Sequence, residues 1–144
     1  MADSRFQDRS MSVPTIDPVL VRRIVEDGDA RLLDEQARGF GYAAKAAGLT
    51  KSQIRGIFGS VRQIKVGWDA REPKQNLRQV LLLKPRLAYQ GAREPNVRPL
   101  AGVLSDAIDS IAQSRDAAEQ TSRFGYFVDL FEAILAYHTA AGGK

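Results

Sequence analysis

His138 is the single histidine of this chain, and there is no cysteine. Thiolate metal sites, disulfides and thiol nucleophiles are excluded by composition, and a reducing compartment, the cytoplasm, is the expected location. His138 lies one helical step from Ile134 and Leu135, at the margin of an apolar stripe, with no second ligand or nucleophile near it in sequence. Such a histidine reads as a packed side chain with one hydrogen-bond partner. Asp106/Asp109 and Asp129/Glu132 sit one turn apart on helices, but each pair faces away from its apolar stripe and lacks a further ligand, so both read as solvated faces rather than metal sites. Gly48-Leu49-Thr50-Lys51-Ser52 lacks the glycines of a phosphate loop and follows no strand, and Gly39 with Gly41 fails as a dinucleotide fingerprint for the same reason. No catalytic residue, metal or cofactor is expected.

The basic residues form a clearer pattern. Between Lys45 and Arg98, twelve Lys or Arg stand against Asp69, Glu72 and Glu94, whereas both flanks are net acidic and the whole chain of 144 residues carries +4. Fifteen of the 21 basic residues are arginine, whose planar fork suits bidentate contact with phosphate. On a helix, Lys51, Arg55 and Arg62 share one face, largely opposite Ile54, Ile57, Phe58 and Val61. Arg78, Lys84, Arg86 and Arg93 continue the charge through the next segment. This distribution predicts a polyanion as partner. Gly56 and Gly59 fall inside the first stretch, and an interior helical glycine costs about 1 kcal/mol relative to alanine, which predicts close approach of another helix or a ligand backbone.

The elements that must carry these residues all read as helices. Asp17-Pro18 starts the first and Gly28 ends it. A second, from about Ala30 to Ala47, places Leu33, Ala37, Phe40, Ala44 and Ala47 at steps of four and three before Gly48. Thr50 caps a third, with Ile54, Ile57, Phe58, Val61, Ile64 and Trp68 on one face, and Asp69 to Pro73 is linker-like. A fourth segment, from about Lys74 to Glu94, must kink or split at Pro85. Asn96 and Pro99 mark the start of the fifth, which runs through Leu100, Val103, Leu104, Ala107, Ile108 and Ile111. The last carries Phe124, Phe127, Val128, Phe131, Ile134 and Leu135 and stops at Gly142-Gly143. No period-two alternation argues for strands. The expected architecture is all-α, a single-domain bundle of five or six helices over residues 17–144, preceded by a flexible extension, residues 1–16. The longest aliphatic run, Val80 to Leu83, is far too short to span a membrane, and no membrane partner is expected.

Two further patterns bear on the partner. Ala44, Gly48 and Ile54 fit the spacing of a helix-turn-helix, with Thr50 to Arg62 as a recognition helix presenting Lys51, Ser52, Gln53 and Arg55 to duplex DNA. Three segments, in order and spacing, resemble the small subunit of the type III-A CRISPR effector, the Csm complex. They are Thr50-Lys51-Ser52-Gln53-Ile54-Arg55, Leu83-Lys84-Pro85-Arg86-Leu87-Ala88-Tyr89, and Phe127-Val128-Asp129-Leu130-Phe131-Glu132-Ala133-Ile134 with Ala136-Tyr137-His138. The resemblance runs from about Ala30 to Lys144; Lys84-Pro85-Arg86-Leu87-Ala88-Tyr89 is its most specific piece, and Gly56 stands where such proteins often carry a basic side chain.

That resemblance implies a non-catalytic helical bundle of a ribonucleoprotein that serves antiviral defence. Several copies would stack along a filament, beside the backbone subunit that holds the guide RNA, the large subunit and one another. It further implies contact with the backbone of the guide–target RNA duplex, carried over to Lys51, Arg55, Arg62, Arg78, Lys84, Arg86 and Arg93. Tyr89 would then be either a core aromatic or a stacking partner for a sugar or base, and the acidic C-terminal third would face protein neighbours. A helix-turn-helix DNA reader and a purely structural adaptor remain the alternatives.

Overall fold

Caps and prolines set where each helix begins in the computed structural model, which describes residues 13–142. Asp17 accepts from the Val19 N–H at 2.9 Å and opens α1, Pro18–Asp27, where Pro18 occupies the position at which a missing N–H costs nothing. Asp29 opens α2, Ala30–Ala46, by accepting from the Leu32 N–H at 3.0 Å. Thr50 and Gln53 form a reciprocal capping box at the start of α3, Lys51–Val66, each side chain accepting the other residue's backbone N–H. Then follow α4, Pro73–Leu81, α5, Leu83–Arg93, a 3-10 turn over Pro95–Val97, α6, Arg98–Ala112, and α7, Ala117–Ala140.

No strand occurs among the described residues, and the fold is the expected all-α bundle. The seven α-helices among the described residues are the six expected segments with the fourth divided. Pro85 explains the division. It has no N–H for the carbonyl of Leu81, four residues back, and its ring would clash with that carbonyl, so α4 ends at Leu81. The last helix also begins earlier than its aromatic stripe. Asp116 accepts from the Glu119 N–H and Glu119 accepts from the Arg115 N–H, both at 2.8 Å.

α7 is the axis of the bundle, with Phe127, Leu130, Phe131, Ile134 and His138 fully buried. α1, α2, α3 and α6 pack on it, and α6 in turn receives α1, α4 and α5. Packing starts ahead of the expected domain boundary at Asp17, because Pro14 and Ile16 are buried. Ile16 immediately precedes the cap and Val21 is the fourth helical residue, the placement of a hydrophobic staple. The remainder of the expected extension, residues 1–12, lies outside the described residues, as do Gly143 and Lys144.

The most extensive helix pair is α2 against α7, and one residue sets its separation. A Cβ at Gly41 would stand 2.8 Å from Tyr137 Cβ, 2.9 Å from His138 N and 3.0 Å from Ile134 O. Only glycine allows that approach. Gly28, which ends α1 at φ 68°, is closed over in the same way by the Tyr126 ring of α7. Gly41→Ala should therefore lower the unfolding free energy by about 1–3 kcal/mol, the overpacking cost outweighing the helix propensity alanine adds. At Gly39, with open space around it, the same change should raise stability by up to about 1 kcal/mol. Urea denaturation of the two variants checks this; equal midpoints would contradict it.

Candidate nucleic-acid interface

α3 is tied at its N-terminus to the turn after α5 by polar side chains, and its C-terminal half faces the α4–α5 junction across a cleft. At the N-terminus of α3, Asn96 donates to Gly48 O at 2.8 Å and to Gln53 Oε1 at 2.7 Å, while Gln53 Nε2 donates back to Asn96 Oδ1 at 3.3 Å. At the other end Ser60, Gln63 and Ile64 of α3 face Gln79, Leu82 and Arg86 across a cleft of about 220 Å³. The outermost line of α3 is Ser52, Gly56, Gly59 and Gln63, all exposed at helical spacing. Nothing among the described residues comes within 4 Å of a Cβ placed at Gly56 or Gly59, so the expected close neighbour is not another part of the described fold.

The basic residues named from the sequence fall on two sides of that line. Lys51, Arg55 and Arg62 occupy the flank of α3 turned away from α5, with Lys51 half-buried and both arginines exposed. Arg86 and Arg93 stand on one face of α5, seven residues apart, and Arg86 borders the cleft. Arg78 is exposed on α4, pointing away from the buried Asn76 and Val80. Lys84 differs from the rest. It lies across α5 from Arg86, where its ammonium pairs with Asp109 of α6. Among the described residues, none of the other six is in an ion pair. Two further cations of the basic stretch are also occupied internally, Arg71 by Asp69 at 3.1 Å and Arg98 by Gly91 O at 3.0 Å.

His138 is the packed histidine its position predicts, fully buried, with Nε2 2.6 Å from Leu49 O. A carbonyl only accepts, so that nitrogen carries the proton and donates. Asn96 is the positioning residue that the sequence does not reveal; with Pro99 it reads as a helix start, and its side chain reaches Gly48 instead. Among the described residues no group of three or more His, Asp or Glu could hold a metal ion, and no helix is long and apolar enough to cross a membrane. A helix-turn-helix packs its two members on each other, but α2 and α3 make only marginal contact and each rests on α7.

A small bundle of helices without strands, presenting an arginine-rich exposed face, is the class these features define. The sequence model of the family described as Csm2 Type III-A matches residues 27–144. This chain belongs to that family, the small subunit of the type III-A CRISPR effector. No curated protein and no solved structure matches it.

The ion pair that occupies Lys84 belongs to a larger group at the junction of α1, α5 and α6, comprising Arg22, Lys84, Asp106 and Asp109. Burial, and then the neighbouring Asp109 carboxylate, push the Asp106 carboxyl above its ordinary range, against the opposing pull of Lys84 and Arg22. A carboxyl raised in the folded state opposes folding while ionised, and that cost disappears as pH falls through the carboxylate range. Asp106→Asn should raise the melting temperature at pH 7, with the gain shrinking on acidification. Thermal melts across that pH range are the check, and a variant less stable at pH 7 would contradict it.

Proposed function

We propose that this small subunit stacks in several copies along the type III-A effector filament and grips the guide–target RNA duplex by its phosphates without cutting it. The observation that carries this reading is the state of the cations. Lys51, Arg55, Arg62, Arg78 and Arg86 have no ion-pair partner among the described residues and are displayed on the outer sides of α3, α4 and α5. Unpaired, solvated arginines retain their full attraction for a polyanion, whereas Lys84 has a carboxylate beside it. An A-form duplex hides its base edges in a deep, narrow groove and offers phosphates and 2′-hydroxyls outward, so a phosphate-directed face matches it without reading sequence. Target cleavage then belongs to the backbone subunit.

The protein neighbours in this reading are the backbone subunit, the large subunit and further copies of this chain. Exposed acids supply a surface for them: Asp129 and Glu132 stand on the outer side of α7, free of the ion pairs that occupy Asp109. Such a division keeps the RNA and protein faces of opposite sign.

Alanine at Arg55, Arg62 and Arg86 together should weaken target-RNA capture by the assembled effector and reduce the slope of log affinity against log salt by about 2 to 3, leaving the melting temperature unchanged. Filter binding over a salt series measures both quantities. Capture at full strength with an unchanged slope would reject the phosphate contacts and leave a structural adaptor.

A further inference from the structure

Tyr89 has two roles open to it from sequence, core aromatic or stacking surface, and the structure removes the first. The residue is 64% exposed, although it sits in the interior of α5, and no aromatic ring of the described fold packs on it. Arg86 precedes it by one turn and Arg93 follows it by one turn; with Gln90 and Glu94 the three line a shallow depression of about 340 Å³. The Arg93 guanidinium lies 5.7 Å from the ring centroid, and its Nη1 donates to the phenol oxygen at 3.3 Å. The ring is thereby held against the helix before any ligand arrives. Glu94 is the one carboxylate in the lining, and it accepts from Gln90 Nε2 at 3.1 Å rather than pairing with either arginine.

We infer that Tyr89 is a stacking platform for one unpaired nucleobase of bound RNA, with Arg86 and Arg93 taking the phosphates on either side of that nucleotide. The inference rests on the RNA-contact reading above and adds a discrimination that phosphate contacts lack. Cations along a backbone respond little to pairing, but a ring must meet a base face, and inside a continuous duplex both faces of each base are covered. A single strand, a strand end or an extruded nucleotide offers one, and aromatic stacking there is tolerant of base identity. Seven residues of helix separate the two arginines by about 10 Å along the axis; the Arg93 guanidinium lies over one face of the ring, and the base takes the other. Prior ordering of the ring by Arg93 lowers the conformational cost of receiving the base.

The test uses the full chain and a short single-stranded RNA carrying one 2-aminopurine, alone and annealed to its complement, at low salt. The wild-type protein should quench the fluorophore in the single strand and leave the duplex signal unchanged. Tyr89→Ala should bind the single strand about tenfold more weakly and lose the quenching, while duplex affinity moves by less than about twofold. Tyr89→Phe, which keeps the ring, should behave as wild type. If Tyr89→Ala binds and quenches normally, the stacking site is wrong while phosphate contact stands; if it loses both RNAs equally, Tyr89 only positions Arg93, and the inference is likewise wrong. If the wild-type protein binds neither RNA, the phosphate reading falls and the platform with it. Loss of subunit assembly with unaltered RNA binding would make Tyr89 a protein contact and overturn the inference.

Discussion

The backbones of α2 and α7 meet at Gly41 with no space for a Cβ, and the placement of the basic face follows from that approach. It brings the end of α2 to the last turns of α7, where buried His138 donates to the carbonyl of Leu49. Leu49 belongs to the turn that Gly48 makes at φ 100°, one residue before the Thr50 cap. The exit direction of α3 is therefore tied to α7 through one imidazole. Asn96 holds the same turn from the other side, by way of Gly48 O and Gln53, and thereby fixes α3 to the connection between α5 and α6. Of the helices that display the cations, α3 packs on α7 whereas α4 and α5 pack on α6, and these polar ties join the two sets.

Charge is divided within this frame by distance to a carboxylate. Lys84 and Arg71 each have a carboxylate beside them, and the charge they contribute to a ligand is correspondingly reduced; Arg98 is held by the carbonyl of Gly91. Arg55, Arg62, Arg78 and Arg86 have no ion-pair partner among the described residues. Most acids stand elsewhere, at the α1–α2 turn, beside Lys84, or along the outer side of α7, and Glu94, which shares a depression with Arg86, accepts from Gln90 instead. Exposed surface ion pairs contribute little to stability, so leaving these arginines unpaired costs the fold almost nothing and preserves their affinity for phosphate. Gly56 and Gly59 keep the outer line of α3 low between the two basic flanks, and none of the described residues covers it.

Much of this fold was legible because its signals are local. Asp17 and Thr50 cap where their types and spacing predict, Gly28 and Gly48 end helices, Pro85 divides the fourth segment, and the apolar stripes identify most of the core. The aromatic stripe beginning at Phe124 marks the last helix without its start, which Asp116 and Glu119 set further upstream. The remainder depends on residues distant in sequence. The need for glycine at position 41 arises from Tyr137 and His138 at the opposite end of the chain, and the pairing of Lys84 from an aspartate on another helix. Periodicity could list Lys84 beside Arg86, but only the packing of α5 on α6 turns one inward to Asp109 and leaves the other at the cleft.

The most direct measurement is protein–RNA crosslinking, mapped by mass spectrometry, on the assembled effector loaded with guide and target. The free cations predict crosslinked peptides from residues 51–62 and 78–93, and none from the outer side of α7 around Asp129 and Glu132. Crosslinks concentrated on that acidic side, or absent from this subunit in a complex whose other subunits crosslink, would contradict a phosphate-gripping role for α3, α4 and α5.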